Sequence, residues 1–227
     1  MNRAFTILAI TLSFSGYAAT NNSNDLNNLT DLNNDGIKRW QQHEFSGQTT
    51  YKVISIDGQN VIQATSEASA SGLMLEQQID LLRTPFLNWR WKVTNALPPL
   101  KEQTKNGDDY VARIYLLRKS GFMGLNTKAL NYVWSSSQTE GTVWNNAYAG
   151  SSVKMVAVQG KTAKTNLWME EKRNVYQDMI HYFGDKGSDK ANQEAYRYID
   201  IVAIMTDTDN SGLTSQSYYG DIVVTAE

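Results

Sequence analysis

Leu87, Trp89, Trp91 and Val93 alternate with Asn88, Arg90 and Lys92, so an extended chain here presents two indoles among aliphatics on one face and charge on the other. That period of two predicts a strand whose indole face is buried. Residues 51–56 and 61–65 repeat the β-rich pattern on either side of Asp57-Gly58-Gln59-Asn60, and the Asp-Gly start accepts positive φ, which predicts a hairpin. Further strands are predicted over residues 73–79, 110–117, 130–135, 153–158, 200–206 and 221–225. Helical spacing is scarce. It is clearest over 175–183, where Val175, Met179, Tyr182 and Phe183 share a face and Gly184 follows as a stop. Short strands separated by turn signals predict one all-β domain, an antiparallel β-sandwich with one short helix. Pro98 and Pro99 mark a loop over 97–107, long enough to carry function.

The amino terminus departs from this pattern. Arg3 precedes an apolar stretch from Ala4 to Phe14 and then Ser15-Gly16-Tyr17-Ala18-Ala19. A basic start, an apolar segment too short to span a bilayer and small residues at the end predict a signal peptide over 1–19, hence export to the periplasm or beyond. Residues 20–38 are asparagine-rich and poor in apolar positions, which predicts a flexible leader, with the sandwich domain over 39–227. The chain has no cysteine, so an exported fold must be held by its core and not by disulfides, and thiol chemistry is excluded. A net charge of −2 without a Lys/Arg run gives nucleic acid no field to follow.

Candidate chemistry gathers where strands end. The apolar run 199–205 breaks into Thr206-Asp207-Thr208-Asp209-Asn210-Ser211-Gly212, and Lys105, Asp108 and Asp109 precede the strand that carries Arg113. If the two ends meet they form an acidic pocket, with Asp108, Asp207 or Asp209 as partners for Arg113, since an unpaired buried guanidinium is costly. Asp207 and Asp209 are the candidates for calcium, although Tyr218 stands where a calcium loop needs its closing acid. Asp31 to Gly36 carries a similar half-motif, with Gln42 in the closing place. No cofactor is otherwise expected. Arg173, Asn174 and Asp178 form a second polar group around the helix start, and Glu171 lies just before it. Trp134, Trp144, Tyr148 and Trp168 are candidate stacking platforms for sugar rings or ordinary core, with Trp144 the most exposed candidate among turn residues. His43 and His181 are the only histidines, and no nucleophile elbow, phosphate loop or zinc helix is present. Paired carboxylates for glycoside hydrolysis would come from Asp108, Asp109, Asp178, Asp207 or Glu171. A lyase would need Tyr132 or His181 as base beside Arg113 or Arg173.

At Trp91-Lys92-Val93, Lys105 with Gly107-Asp108-Asp109, Ala112 to Tyr115, Tyr132 to Ser135, Arg173-Asn174-Val175 with Asp178, Phe183-Gly184 and Met205 to Asn210, the chain resembles a family of exported bacterial proteins known only as a domain of unknown function. The resemblance covers roughly residues 40–224. It implies a jelly-roll-like sandwich similar to carbohydrate-binding modules, and it carries over no activity. Together these readings favour an exported sandwich that binds a polar ligand such as a glycan at one shared site of Lys105, Asp108, Asp109, Arg113, Trp134, Arg173, Asn174, Asp178, Asp207, Asp209 and Asn210. A polysaccharide-cleaving enzyme with the same charges and a non-catalytic envelope protein are the alternatives. No membrane span is expected in the mature form.

Overall fold

The computed structural model describes residues 27–121 and 126–227. The chain forms β1 (Gln41–Ser46), β2 (Thr50–Ile56), β3 (Gln59–Glu67), β4 (Ala70–Asp80), β5 (Phe86–Val93), β6 (Arg113–Arg118), β7 (Lys128–Trp134), β8 (Val143–Asn146) and β9 (Gly150–Gln159). It continues through β10 (Met169–Asn174), helices α1 (Val175–Phe183) and α2 (Asp189–Tyr196), and strands β11 (Tyr198–Asp207), β12 (Thr214–Tyr219) and β13 (Val223–Thr225). Two sheets face each other. One runs β1-β4-β11-β6-β7-β9-β8, the other β10-β5-β12-β3-β2, with β13 also on β5. The expected antiparallel sandwich is found, with the parallel pair β7–β9 as an exception.

The predicted alternation over 87–93 is realised: Leu87, Trp89, Trp91 and Val93 are buried between the sheets and the residues between them are half-exposed. Trp89 stacks on Tyr132 with ring centres 5.5 Å apart, and Trp91 meets Trp134 edge-on at 6.0 Å. These four rings, one pair from each sheet, dominate the inter-sheet core. The first hairpin turns in two residues, since Ile56 pairs with Gln59 and both Asp57 (φ 52) and Gly58 (φ 76) adopt the positive φ that such a turn requires. Helix α1 matches its predicted span. The Asn174 side chain accepts from the Gln177 N–H at 3.0 Å at its start, and Gly184 (φ 94) closes it.

Five elements, β1, β8, β10, β12 and α2, are not read from the sequence, and in β10 and β12 the reason is that inward positions carry polar residues. In β12 the buried residues are Ser215, Ser217 and Tyr219, because this end of the core is a hydroxyl network. Thr206 Oγ1 lies 2.7 Å from Ser217 Oγ and 2.9 Å from the Tyr219 hydroxyl, and Ser66 Oγ lies 2.8 Å from Thr208 Oγ1. In β10 the half-buried Glu171 accepts from Trp91 Nε1 at 3.1 Å and from Gln159 Nε2 at 2.7 Å. β8 is a short edge strand, and α2 is polar over most of its length.

The expected signal peptide and residues 20–26 lie outside the described residues. The remainder of the expected leader is docked. Asn28 bridges to Val223, Leu29 N–H donates to Ile222 O at 2.8 Å, and Leu29 and Leu32 are buried in the main core. Two leucines in register with a sheet edge offset the ordering cost that the polar composition suggested would prevail. The half-motif at Asp31 to Gly36 is a turn: the Asp31 carbonyl accepts from Asn34 and Gly36 N–H, and exposed Asp35 pairs with Lys38 at 2.7 Å. No helix among the described residues is long and apolar enough to cross a membrane.

Candidate functional site

Side chains of β6 alternate between the two faces of the seven-stranded sheet. Ile114 and Leu116 point into the inter-sheet core, whereas Arg113, Tyr115 and Leu117 point outward. Register then assigns their neighbours. Arg113 pairs with Val133 and Met205, Tyr115 pairs with Asn131, Asn131 with Met155, and Met155 with Trp144. Cross-strand partners share a face, so a row Tyr115-Asn131-Met155-Trp144 crosses four strands beside a row containing Arg113. This outer face has its own apolar cluster, with Tyr110, Ala129, Val133, Trp144, Val153, Met155 and Ala157 buried in it.

The two strand ends singled out from the sequence do meet at one end of this face. Arg113, 7% exposed, donates from Nη2 to Asp207 Oδ2 at 2.9 Å and lies 2.9 Å from Met205 Sδ. Asp207 Oδ1 accepts from the Tyr110 N–H at 3.3 Å, and the Arg113 guanidinium lies over the Tyr110 ring at 5.3 Å. The backbone here is set by the hydroxyl network beneath: the Tyr219 hydroxyl accepts from Arg113 N–H at 3.2 Å and donates to Met205 O at 2.8 Å. Burial opposes the charge on Arg113, but Asp207 and Asp108 outweigh it and hold the guanidinium protonated. Burial likewise pushes the Asp207 carboxyl up, against the pull of Arg113.

Asp109, Asp207 and Asp209 bring carboxylate oxygens within 4.8 Å of one another. Their oxygens are largely engaged by the protein. Asp109, fully buried, accepts from Asn210 N–H and Asn210 Nδ2 at 3.1 Å each and from Ser211 N–H at 2.6 Å. It therefore pins the acidic turn to the loop before β6. Asp209 is half-buried, and burial with the Asp109 charge raises its carboxyl. Tyr148 donates to Asn210 Oδ1 at 2.7 Å, and Lys105 Nζ sits 5.2 Å from the centre of the Tyr148 ring. Gly107, just before Asp108, lets the loop pack against the Lys101 backbone, because a Cβ there would lie 2.7 Å from it.

Asp108 accepts from the Tyr110 hydroxyl and from Asn146 Nδ2, both at 3.1 Å. Burial, opposed by Arg113, pushes its carboxyl up to about 6. A carboxyl raised by folding favours the protonated native state, so its stability contribution is complete below the ordinary carboxylate range and is lost as pH climbs through 6. Asp108→Asn should therefore become more stable relative to the wild type between pH 4 and pH 7, by up to about 3 kcal/mol. Urea unfolding at several pH values measures this, and a pH-independent difference would contradict it.

The other predicted site residues lie elsewhere. Arg173 forks onto Asp178, Nε to Oδ2 at 2.9 Å and Nη2 to Oδ1 at 2.7 Å, and the Tyr132 hydroxyl donates to Asp178 Oδ2 at 2.6 Å. Tyr132 faces the inter-sheet core, opposite to the outward Asn131, so this group and the Arg113 group occupy opposite faces of one sheet. The single shared site expected from the sequence is thus two clusters. Asn174 is committed to its helix cap. Burial, with Asp178 beside it, raises the Tyr132 hydroxyl well above its ordinary range, which suits a donor and not a base. Trp134 is core, Trp144 is 8% exposed, and Arg90 and Lys92 lie over Trp168 at 4.5 and 5.2 Å.

Asn131 lies outside every motif of the sequence. It is 1% exposed in an apolar strand, and among the described residues its Oδ1 has no hydrogen-bond partner. Arg113 Nε and Trp144 Nε1, on the same face, are also buried and unpartnered. The other atoms of this kind, Trp89 Nε1, Ser215 Oγ and Arg118 Nη1, belong to side chains on inward positions of their strands. A separate groove of about 690 Å³ lies on the six-stranded sheet, lined by Asn60, Asn88, Arg90, Glu170, Lys172 and neighbours.

The sequence pattern of the family described as "Protein of unknown function (DUF3047)" matches residues 38–223. No curated protein matches the chain. Among solved structures, the xyloglucanase domain of NopAA from Sinorhizobium fredii, in complex with cellobiose, is similar over 83% of this chain and 93% of that one, with 11% identity and a TM-score of 0.45. TmCBM61 in complex with beta-1,4-galactotriose is similar over 84% and 90%, with 8% identity and a TM-score of 0.38. A carbohydrate-binding module specific for non-crystalline cellulose, CBM28, is similar over 83% and 87%, with 12% identity and a TM-score of 0.42.

Proposed function

The chain belongs to the DUF3047 family, and we propose that this member is an exported protein that binds a carbohydrate on the outer face of the seven-stranded sheet. One observation carries the reading: Arg113 Nε, Asn131 Oδ1 and Trp144 Nε1 lie on adjacent rows of that face, buried and without partners among the described residues. An unmet buried polar group costs about 1–3 kcal/mol, so three together call for a ligand that supplies both donors and acceptors. Sugar hydroxyls are both at once: one can give its proton to Asn131 Oδ1 while others along the ligand offer lone pairs to the guanidine and indole N–H groups. Tyr115, half-buried on the same face, adds ring surface that sugar C–H groups pack against.

Affinity electrophoresis through gels containing soluble polysaccharides, with an assay for new reducing ends, tests this. Retardation by at least one polysaccharide without new reducing ends is expected, and no retardation by any would contradict it. Cleavage is the second reading. It would fall to Asp108 and Asp209, whose raised carboxyls lie at this end of the face, because Asp109 is tied to backbone amides and Asp207 to Arg113.

Asn131→Leu separates a ligand-binding amide from a structural one. Removing an unsatisfied amide should leave the protein as stable or more stable by about 1 kcal/mol, while affinity falls at least about tenfold. Thermal melting and calorimetric titration report the two effects. A destabilised variant with unchanged affinity would assign Asn131 to the scaffold alone.

A further inference from the structure

Resting on the carbohydrate reading, we infer that the ligand of the outer face is an uncharged glycan and that the site turns uronate-bearing chains away. Four carboxyl groups, Asp108, Asp109, Asp207 and Asp209, crowd the end of this face, three of them with oxygens within 4.8 Å of one another. Two cations stand beside them. Arg113 is already spent on Asp207 at 2.9 Å, and Lys105 is drawn over the Tyr148 ring. A ligand carboxylate would therefore meet a surplus of negative charge, at a site buried enough that solvent screens it weakly.

A second observation agrees with the first and is independent of charge. Asn131 is buried, and its unpartnered Oδ1 is an acceptor. A hydroxyl can donate to it and a carboxylate cannot, so the ligand sets a hydroxyl there, which a uronate can do only with its ring hydroxyls. Arg113 Nε would welcome a carboxylate oxygen, but on a guanidinium whose charge Asp207 already balances the gain is that of one hydrogen bond. Like-charge repulsion is the larger effect.

The test is a matched comparison by affinity electrophoresis and calorimetric titration of the full chain: the neutral methyl ester of polygalacturonate against polygalacturonate, and mannan against polymannuronate, at low and moderate salt. Any neutral polymer that binds should bind at least about tenfold tighter than its uronate counterpart at low salt, with the gap narrowing as salt screens the carboxylates. Asp209→Asn, which removes the half-buried charge, should narrow that gap at least about threefold. A uronate polymer bound as tightly as its neutral counterpart, or tighter, overturns the charge selectivity and leaves carbohydrate binding standing. Retention of neither class overturns the carbohydrate reading itself, and the selectivity with it.

Discussion

Arg113→Met destabilises the protein by about 3–5 kcal/mol at neutral pH, the cost of leaving a buried carboxylate without its counter-ion. Asp207 is 1% exposed, and besides Arg113 it has the Tyr110 N–H to compensate it, while Asp108, Asp109 and Asp209 all repel it. The loss depends on pH with a definite sign. Without the guanidinium, Asp207 is held even higher, so the fold favours its protonated form. The deficit is then small below the ordinary carboxylate range and grows as pH rises towards 7. Arg113→Met with Asp207→Leu removes both charges and should recover at least about 2 kcal/mol of the single variant's loss. Chemical unfolding of the four proteins of the cycle measures this. A single variant within 1 kcal/mol of wild type, or a double variant no better than the single, would show that Asp207 finds compensation elsewhere.

Trp91→Ala costs a similar amount, about 3–5 kcal/mol, for a different reason. The ring is fully buried between Trp89 and Trp134, at 5.4 and 6.0 Å, so truncation opens a cavity at the junction of the two sheets. It also removes the indole N–H that Glu171 accepts at 3.1 Å, leaving that carboxyl to Gln159. Burial already raises Glu171, and losing a donor raises it further. Trp91→Phe keeps most of the volume but not the donor, and should lose less than half as much. Equal losses in the two variants would mean that the hydrogen bond, not the packing, dominates this position.

The architecture was legible wherever one side of a strand is apolar. The alternation from Leu87 to Val93 and the Asp57-Gly58 turn announce their elements because burial and positive φ leave few other solutions for those residues. β12 hid because its inward side chains include Ser215 and Ser217, and Ser217 is made buriable by Thr206 of β11, a partner that the local pattern does not show. The same limit applies to the site. Asp108, Asp109, Arg113 and Asp207 were visible as a strand-end cluster, and they do converge. Arg173 and Asp178 were grouped with them because sequence order does not say which face of β7 a side chain takes. Tyr132 and Asn131, one residue apart, point to opposite sides and divide the charges between them. Asn131 itself had a signal, a lone amide inside the apolar run Ala129 to Trp134, which a strand does not carry outside a purpose for it or a partner.

The most direct measurement contrasts the two outer faces of the sandwich. Calorimetric titration of a retained neutral polysaccharide into the wild type, Asn131→Leu on the seven-stranded sheet and Asn88→Leu in the groove of the six-stranded sheet decides which face binds. The expected result is at least about a tenfold loss for Asn131→Leu and wild-type affinity for Asn88→Leu. Undiminished binding by Asn131→Leu, with binding lost in Asn88→Leu, would contradict the assignment and move the ligand to the opposite sheet.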